Sequence, residues 1–373
     1  MFESPPFWMY IVGFLLVLGP LVTLHELGHY LVGRWFGVQA EAFSVGFGKE
    51  LAGFTDKRGT RWKLSALPLG GYVQFKGDMN PASVPDPSAP KEEGSFQHAA
   101  LWKRALIVAA GPVTNLVLAI AIFAAFFAIL GKPTITGTED SRIIGAFAEG
   151  SVAEKAGLKV GDTIIAIDGA PITDFTDLRE AVALHPDKRM VFTVDRAGNA
   201  LTVPITTARV VIKDDFGNES AIGLIGVEAR GAEYVLEDVS ALEAVPLALQ
   251  QTWDVTRMMV TGIQQIVTGE RSIKELGGPL KIAKYSGEQM SLGTIAFINF
   301  AALISLNLAF INFLPIPALD GGHLMFYLAE AIRRKPVGPR VTEWAYRTGI
   351  ALVLMLMVVV TVNDVFSLPL FGS

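Results

Sequence analysis

Apolar and polar positions divide this chain into four long apolar runs and several mixed, alternating stretches. The runs cover about Phe7 to Val32, Leu106 to Leu130, Ile295 to Leu314 and Thr348 to Val362, each long enough to cross a bilayer. The first is interrupted by "TLHELGHYLV" (Thr23–Val32), which sets two histidines and a glutamate inside an otherwise apolar segment. The second has no charge, the third carries three asparagines, and the fourth is rich in Leu, Val and Met.

Between the first two runs, "FSVGFGKELAGF" and "RWKLSALPLGGYVQF" alternate apolar and polar residues and are broken by glycines, which predicts a short sheet or hairpin. "DMNPASVPDPSAPKEEG" (Asp78–Gly94) reads as a linker. After the second run, Ile143 to Val182 predicts a strand, a short helix around Ser151–Ala156, a "GLKVGD" turn, a strand, an "IDG" turn and a helix from near Asp174. "LALQQTWDVTRMMVTGIQQIV" (Leu247–Val267) has apolar residues at helical spacing. It either lies on the membrane surface or packs on the preceding domain.

The pattern predicts an α-helical membrane protein with four transmembrane helices, a cytoplasmic-side β-hairpin loop and one inserted α+β domain. The segments are 1–36 (first span), 37–104 (loop with membrane-associated hairpin and linker), 105–130 (second span) and 131–232 (inserted domain). They continue with 233–293 (amphipathic, juxtamembrane helical segment), 294–330 (third span) and 331–373 (turn and fourth span).

Composition narrows the chemistry. Of 373 residues 51% are hydrophobic and 18% charged, and the net charge of −5 comes without a basic tract, so nucleic acid is not an expected partner. Cysteine is absent, which excludes disulfides and leaves only His, Asp or Glu to hold a metal. No Lys or Arg precedes the first run and no small-residue cleavage site follows it, so it reads as a retained span. Lys and Arg crowd the loops after the first and third runs. Both termini and the inserted domain are therefore expected outside, with those loops in the cytoplasm.

Each ionisable side chain at membrane depth costs about 2.5–3.5 kcal/mol on insertion scales, so HELGH calls for a function. It is an H-E-x-x-H motif: on a helix His25 and His29 share one face and reach one metal ion. Glu26 stands beside them to take a proton from water. A third ligand is expected from another span at similar depth. "NFLPIPALDGGH" (Asn312–His323) offers it, because Pro315 and Pro317 break the helix there and Gly321 with Gly322 loosen the backbone further. Asp320 is the only carboxylate between Glu288 and Glu330. His323 is three residues on, and spacing leaves both open as the ligand.

HELGH in the first span and N-x-x-P-x-x-x-L-D-G (Asn312–Gly321) in the third resemble the site-2 protease family, nearest its bacterial regulator of sigma-E protease branch. "GFG" (Gly46–Gly48), "PLGGYV" (Pro68–Val73), "AAGPVTN" (Ala109–Asn115) and "GGPLKIAK" (Gly277–Lys284) are similar to that branch too. "AGLKVGDTIIAIDG" resembles a PDZ domain of the permuted bacterial type; one such domain is expected here where the best-known member of the branch has two.

The resemblance implies an intramembrane zinc endopeptidase with Zn2+ held by His25, His29 and Asp320 and Glu26 as general base. It implies substrate contacts at Asn312 and Asn307. Substrate is also expected along an edge strand within Lys63–Phe75, near Gly70, Gly71, Gly46 and Gly48. Peptide binding by the PDZ domain is expected at Ile143, Ile144 and Gly145. The implied partners are the lipid bilayer and single-span membrane proteins, such as anti-sigma factors after a first cut or remnant signal peptides. The implied location is a bacterial inner membrane, with the active site toward the cytoplasm. A membrane-anchored PDZ scaffold with a dead metal site is the alternative from another class.

Overall fold

The computed structural model describes residues 5–77, 92–136, 140–214, 219–230, 233–270, 272 and 276–367. In chain order the elements are α1 (Phe7–Trp35), β1 (Ala40–Thr55), β2 (Arg61–Phe75), α2 (Leu101–Leu130), β3 (Lys132–Thr136), β4 (Ile144–Phe147) and α3 (Val152–Lys155). β5 (Thr163–Ile167), β6 (Ala170–Pro171), α4 (Phe175–Ala183), β7 (Arg189–Arg196), β8 (Asn199–Thr206), β9 (Ala208–Lys213) and β10 (Glu219–Leu224) follow. The chain continues with β11 (Val227–Ala229), β12 (Glu233–Glu237), α5 (Ala241–Val267), α6 (Pro279–Ser291), α7 (Thr294–Phe313), α8 (Asp320–Arg333) and α9 (Pro339–Ser367).

These elements fall into two compact units. One comprises Ala125–Ala244 and Val260–Gly262; the other comprises Pro5–Ala124, Val245–Met259 and the chain from Ile263 onward.

In the first unit β6, β5, β7 and β8 form an antiparallel sheet in that order. Alternation in "MVFTV" turns Met190, Phe192 and Val194 to one face. There they meet Ile144, Ile164, Leu178 and Ile205 in a single apolar core. Asp174 starts α4 by accepting hydrogen bonds from the backbone N–H of Thr176 (2.7 Å) and Asp177 (2.9 Å), and Ser151 caps α3 in the same way. β12 lies beyond the expected domain limit at residue 232 and pairs with β3 in this unit.

The second unit holds the long apolar helices. Phe7–Trp35, Leu101–Leu130, Thr294–Phe313 and Arg340–Phe366 are each long and apolar enough to cross a membrane, and the chain is a membrane protein. The fourth of these helices starts well before the expected Thr348, because helix continues through the charged turns around Arg340, Glu343 and Arg347 that hydropathy alone discards. α5 likewise starts at Ala241 rather than Leu247. α6 falls within 233–293, the segment expected to be helical. It is held from outside: Asp364 of α9, fully buried, accepts from the backbone N–H of Gly278 and of Lys281, both at 3.1 Å.

β1 and β2 pair antiparallel with register shifts that double the strands. Ala42–Val45 faces Gly71–Gln74 on one side and Arg61–Leu64 on the other. Phe43 and Phe75 from these strands join Tyr30 of α1, Ile107 and Val108 of α2 and Tyr327 of α8 in a second apolar cluster. The expected linker from Asp78 lies outside the described residues as far as Lys91.

α7 ends at Phe313, and Leu314, which precedes Pro315, is extended at φ −63° and ψ 142°. Gly321 and Gly322 do not loosen the backbone as expected; both are helical and buried in α8. A Cβ on Gly321 would lie 2.2 Å from the Leu314 carbonyl oxygen, so glycine there lets α8 start hard against the end of α7.

Candidate active site

His25 and His29 are one turn apart on α1, so their rings leave the helix on one face. The ring centroids lie 4.8 Å apart. Gly28, between them in the motif, brings α2 close: a Cβ there would stand 2.6 Å from the Ala110 carbonyl oxygen. The Pro315–Leu319 turn delivers Asp320 to the same point. Its Oδ2 is 3.1 Å from His25 Nε2 and 3.7 Å from His29 Nε2, and the two Nε2 atoms are 3.1 Å apart.

Three acceptor atoms converging on one point suit a cation. Ligands tetrahedrally disposed about zinc at about 2.0–2.1 Å are separated by about 3.3 Å, so the observed 3.1–3.7 Å fits. The tautomer of His29 fits as well. Its Nδ1 lies 2.8 Å from the Ile107 carbonyl oxygen, which only accepts, so Nδ1 carries the proton and Nε2 turns its lone pair to the cluster. Among the described residues this is the one group of three or more metal-ligating side chains.

A cavity of about 630 Å³ opens onto the cluster and is also lined by Glu26, Tyr72, Val73, Asn312 and His323. Glu26 Oε2 accepts from the Val73 backbone N–H at 3.0 Å, which ties the carboxylate to β2. Ala318 lines the cavity with φ +89°, a left-handed conformation that costs a non-glycine residue about 1–3 kcal/mol.

The sequence-predicted residues divide. His25, His29 and Asp320 meet, and Glu26 and Asn312 face the same cavity. His323 stands outside the cluster, with its Nδ1 2.5 Å from the hydroxyl of Tyr346 on α9. Asn307 does not line the cavity; five residues before Asn312, it lies about 140° around the helix. Gly46, Gly48, Gly70 and Gly71 do not line it either, although their neighbours Phe47 and Tyr72 do.

In the first unit, Ile143, Ile144 and Gly145 have no free strand edge. Ile144 pairs with Ala229 on one side, receives Gly161 N–H on the other, and is buried in the core, while Ile143 bridges Thr163. Peptide added as a further strand would therefore have to pair elsewhere than along these three residues.

Sequence reasoning missed Asn115, whose amide lies 3.4 Å from His25 Nδ1. It also missed Gly111, where a Cβ would lie 2.2 Å from His29 Nε2 and 2.6 Å from His25 Nε2. Both sit in "AAGPVTN", where four-residue spacing puts them on one face of α2 and was the available signal.

Comparison with known proteins gives the family. The model of Peptidase family M50 matches residues 13–356. A chain of Agrobacterium fabrum named "Putative zinc metalloprotease" is 44% identical over 367 residues, 96% of each chain. One of the same name from Rhizobium meliloti is 44% identical over 360 residues, 94% of this chain and 95% of that one. Metalloprotease MmpA of Caulobacter vibrioides is 33% identical over 387 residues, 96% of each. With a family match over most of its length and relatives this similar across nearly all of theirs, the chain belongs to peptidase family M50.

Proposed function

We propose that this chain is an intramembrane zinc endopeptidase of the site-2 type. In this reading His25, His29 and Asp320 hold the zinc and Glu26 is the general base. The observation that carries it is the convergence of three ligating side chains, 295 residues apart at the extremes, beside a carboxylate in one cavity among membrane-length helices. The zinc named in the relatives' titles supports the choice of metal. A dead scaffold is not favoured, since it has no use for that carboxylate.

Held by His25, His29 and Asp320, zinc would polarise the scissile carbonyl and make a water acidic enough to lose a proton near neutral pH. Glu26 takes that proton as the water oxygen bonds to the carbonyl carbon. It then delivers the proton to the departing amide nitrogen as the C–N bond breaks, leaving a carboxyl and an amine. A helical substrate hides its peptide bonds and has to be extended before cutting. The β2 edge at Tyr72–Val73 is suited to this, because an incoming strand can take the Val73 N–H now held by Glu26 and free the carboxylate for its proton. Asn312 is placed to bind the extended segment from the other wall.

The substrates are proposed to be the transmembrane segments of single-span proteins, either anti-sigma factors already cut outside or remnant signal peptides. The first unit, whose element order supports a PDZ-type domain, lies outside an inner membrane and screens their outer ends. Cleavage of a single-span reporter in purified, lipid-reconstituted protein tests the reading. Glu26→Gln is expected to lower the rate by about 10²–10⁴-fold while the zinc content stays as in the wild type. Unchanged cleavage would remove Glu26 from the chemistry.

A further inference from the structure

Resting on the zinc reading above, a second question concerns His25. To bind metal through Nε2, a neutral imidazole carries its proton on Nδ1, and that proton needs an acceptor. His29 meets this need with the Ile107 carbonyl. Among the described residues, the group within hydrogen-bond distance of His25 Nδ1 is the side-chain amide of Asn115, at 3.4 Å.

Asn115 is fully buried, and among the described residues its Oδ1 has no hydrogen-bond partner while its Nδ2 faces the ring. A buried amide oxygen without a donor costs about 1–3 kcal/mol. The oxygen and nitrogen ends of an asparagine amide have nearly the same shape, so their orientation follows from the hydrogen bonds they make. A half-turn about the Cβ–Cγ bond brings Oδ1 to His25 Nδ1 and gives it a donor. The backbone is fixed for this purpose: Ser305 Oγ of α7, itself fully buried, donates to the Asn115 carbonyl at 2.8 Å. One turn back on α2, Gly111 leaves room for both imidazoles.

We infer that Asn115 is a positioning residue that accepts the His25 Nδ1 proton through its side-chain oxygen, selecting the tautomer and ring orientation in which His25 Nε2 binds zinc. α2 then supplies the acceptors for both histidines, Ile107 from its backbone and Asn115 from its side chain.

The test is the affinity of the purified, detergent-solubilised full chain for Zn2+ alone, by competition with a chromophoric chelator, for wild type, Asn115→Leu and Asn115→Asp. Leucine keeps the volume and removes the acceptor. Aspartate keeps an oxygen at the same reach. The expected result is zinc bound about 10–100-fold more weakly by Asn115→Leu, with Asn115→Asp staying within about threefold of wild type. Equal affinity in wild type and Asn115→Leu would overturn the inference and leave the zinc site itself standing. Equal weakening in both variants would overturn it too, by showing that the residue only fills space. Absence of zinc from the wild type would instead overturn the reading on which the inference rests.

Discussion

Phe192, Ile164 and Val194 are wholly buried in the first unit, and what surrounds them is apolar. In the second unit Asn115, Ser305 and Asp364 are wholly buried and His25 and His29 nearly so, while Phe7, Trp35 and Met355 stand open. The difference follows from solvent. A domain facing water gains by hiding apolar surface, whereas helices facing hydrocarbon gain nothing that way and hide the groups that need hydrogen-bond partners. Cutting a hole in the interior should therefore damage the first unit. Adding atoms to the interior should damage the second.

A large effect is expected from adding one methyl group. Gly111→Ala sets a Cβ where the two Nε2 atoms converge, so zinc affinity should fall by more than about tenfold although the change is apolar and helix-favouring. Chelator competition measures it, and unchanged affinity would mean that α2 yields at that point. Removing atoms is the counterpart. Phe192→Ala should cost the first unit about 3–5 kcal/mol while the zinc content holds. Hydrogen exchange of β5 and β7 amides in the full-length protein reads the loss.

A smaller effect sharpens the contrast, because the first unit does bury one carboxylate. Asp162 is 1% exposed and is held below the usual carboxylate range by hydrogen bonds from the Arg196 guanidinium, against the opposing effect of burial. With a folded-state pKa below the unfolded value of about 3.9, the pair's stabilisation is full above that pH and is lost as pH falls through the folded pKa. Acid should therefore open the first unit earlier in Arg196→Ala than in the wild type. Overlapping pH profiles of exchange would show the pair to be inert.

How much of this was legible in the sequence tracks the same contrast. HELGH is legible because the α-helical period alone joins His25 to His29, whereas Asp320 taken alone reads as a turn residue and stands out through the expected topology and its match to the family motif. The choice of Asp320 over His323 was not legible from spacing; it depends on the 3.1 Å approach to His25 and on Tyr346 engaging His323 from α9. Asn312 opens the motif that ends in Asp320 and Gly321 while Asn307 stands outside it, and helix rotation separates the two in the same sense. α6 lies in a segment expected to be helical, but its tie to α9 was not legible, because Asp364 stands 83 residues from Lys281. Asn115 was visible as the last residue of "AAGPVTN", one helical turn from Gly111, and what singles it out is an oxygen with no partner among the described residues, next to His25.

The central claim, that His25, His29 and Asp320 form one zinc site, is tested most directly by zinc per purified chain in wild type, His25→Ala and Asp320→Ala, prepared without chelators. The account predicts about one zinc per wild-type chain and little or none in either variant. Full zinc retained in Asp320→Ala, or none in the wild type, would contradict it.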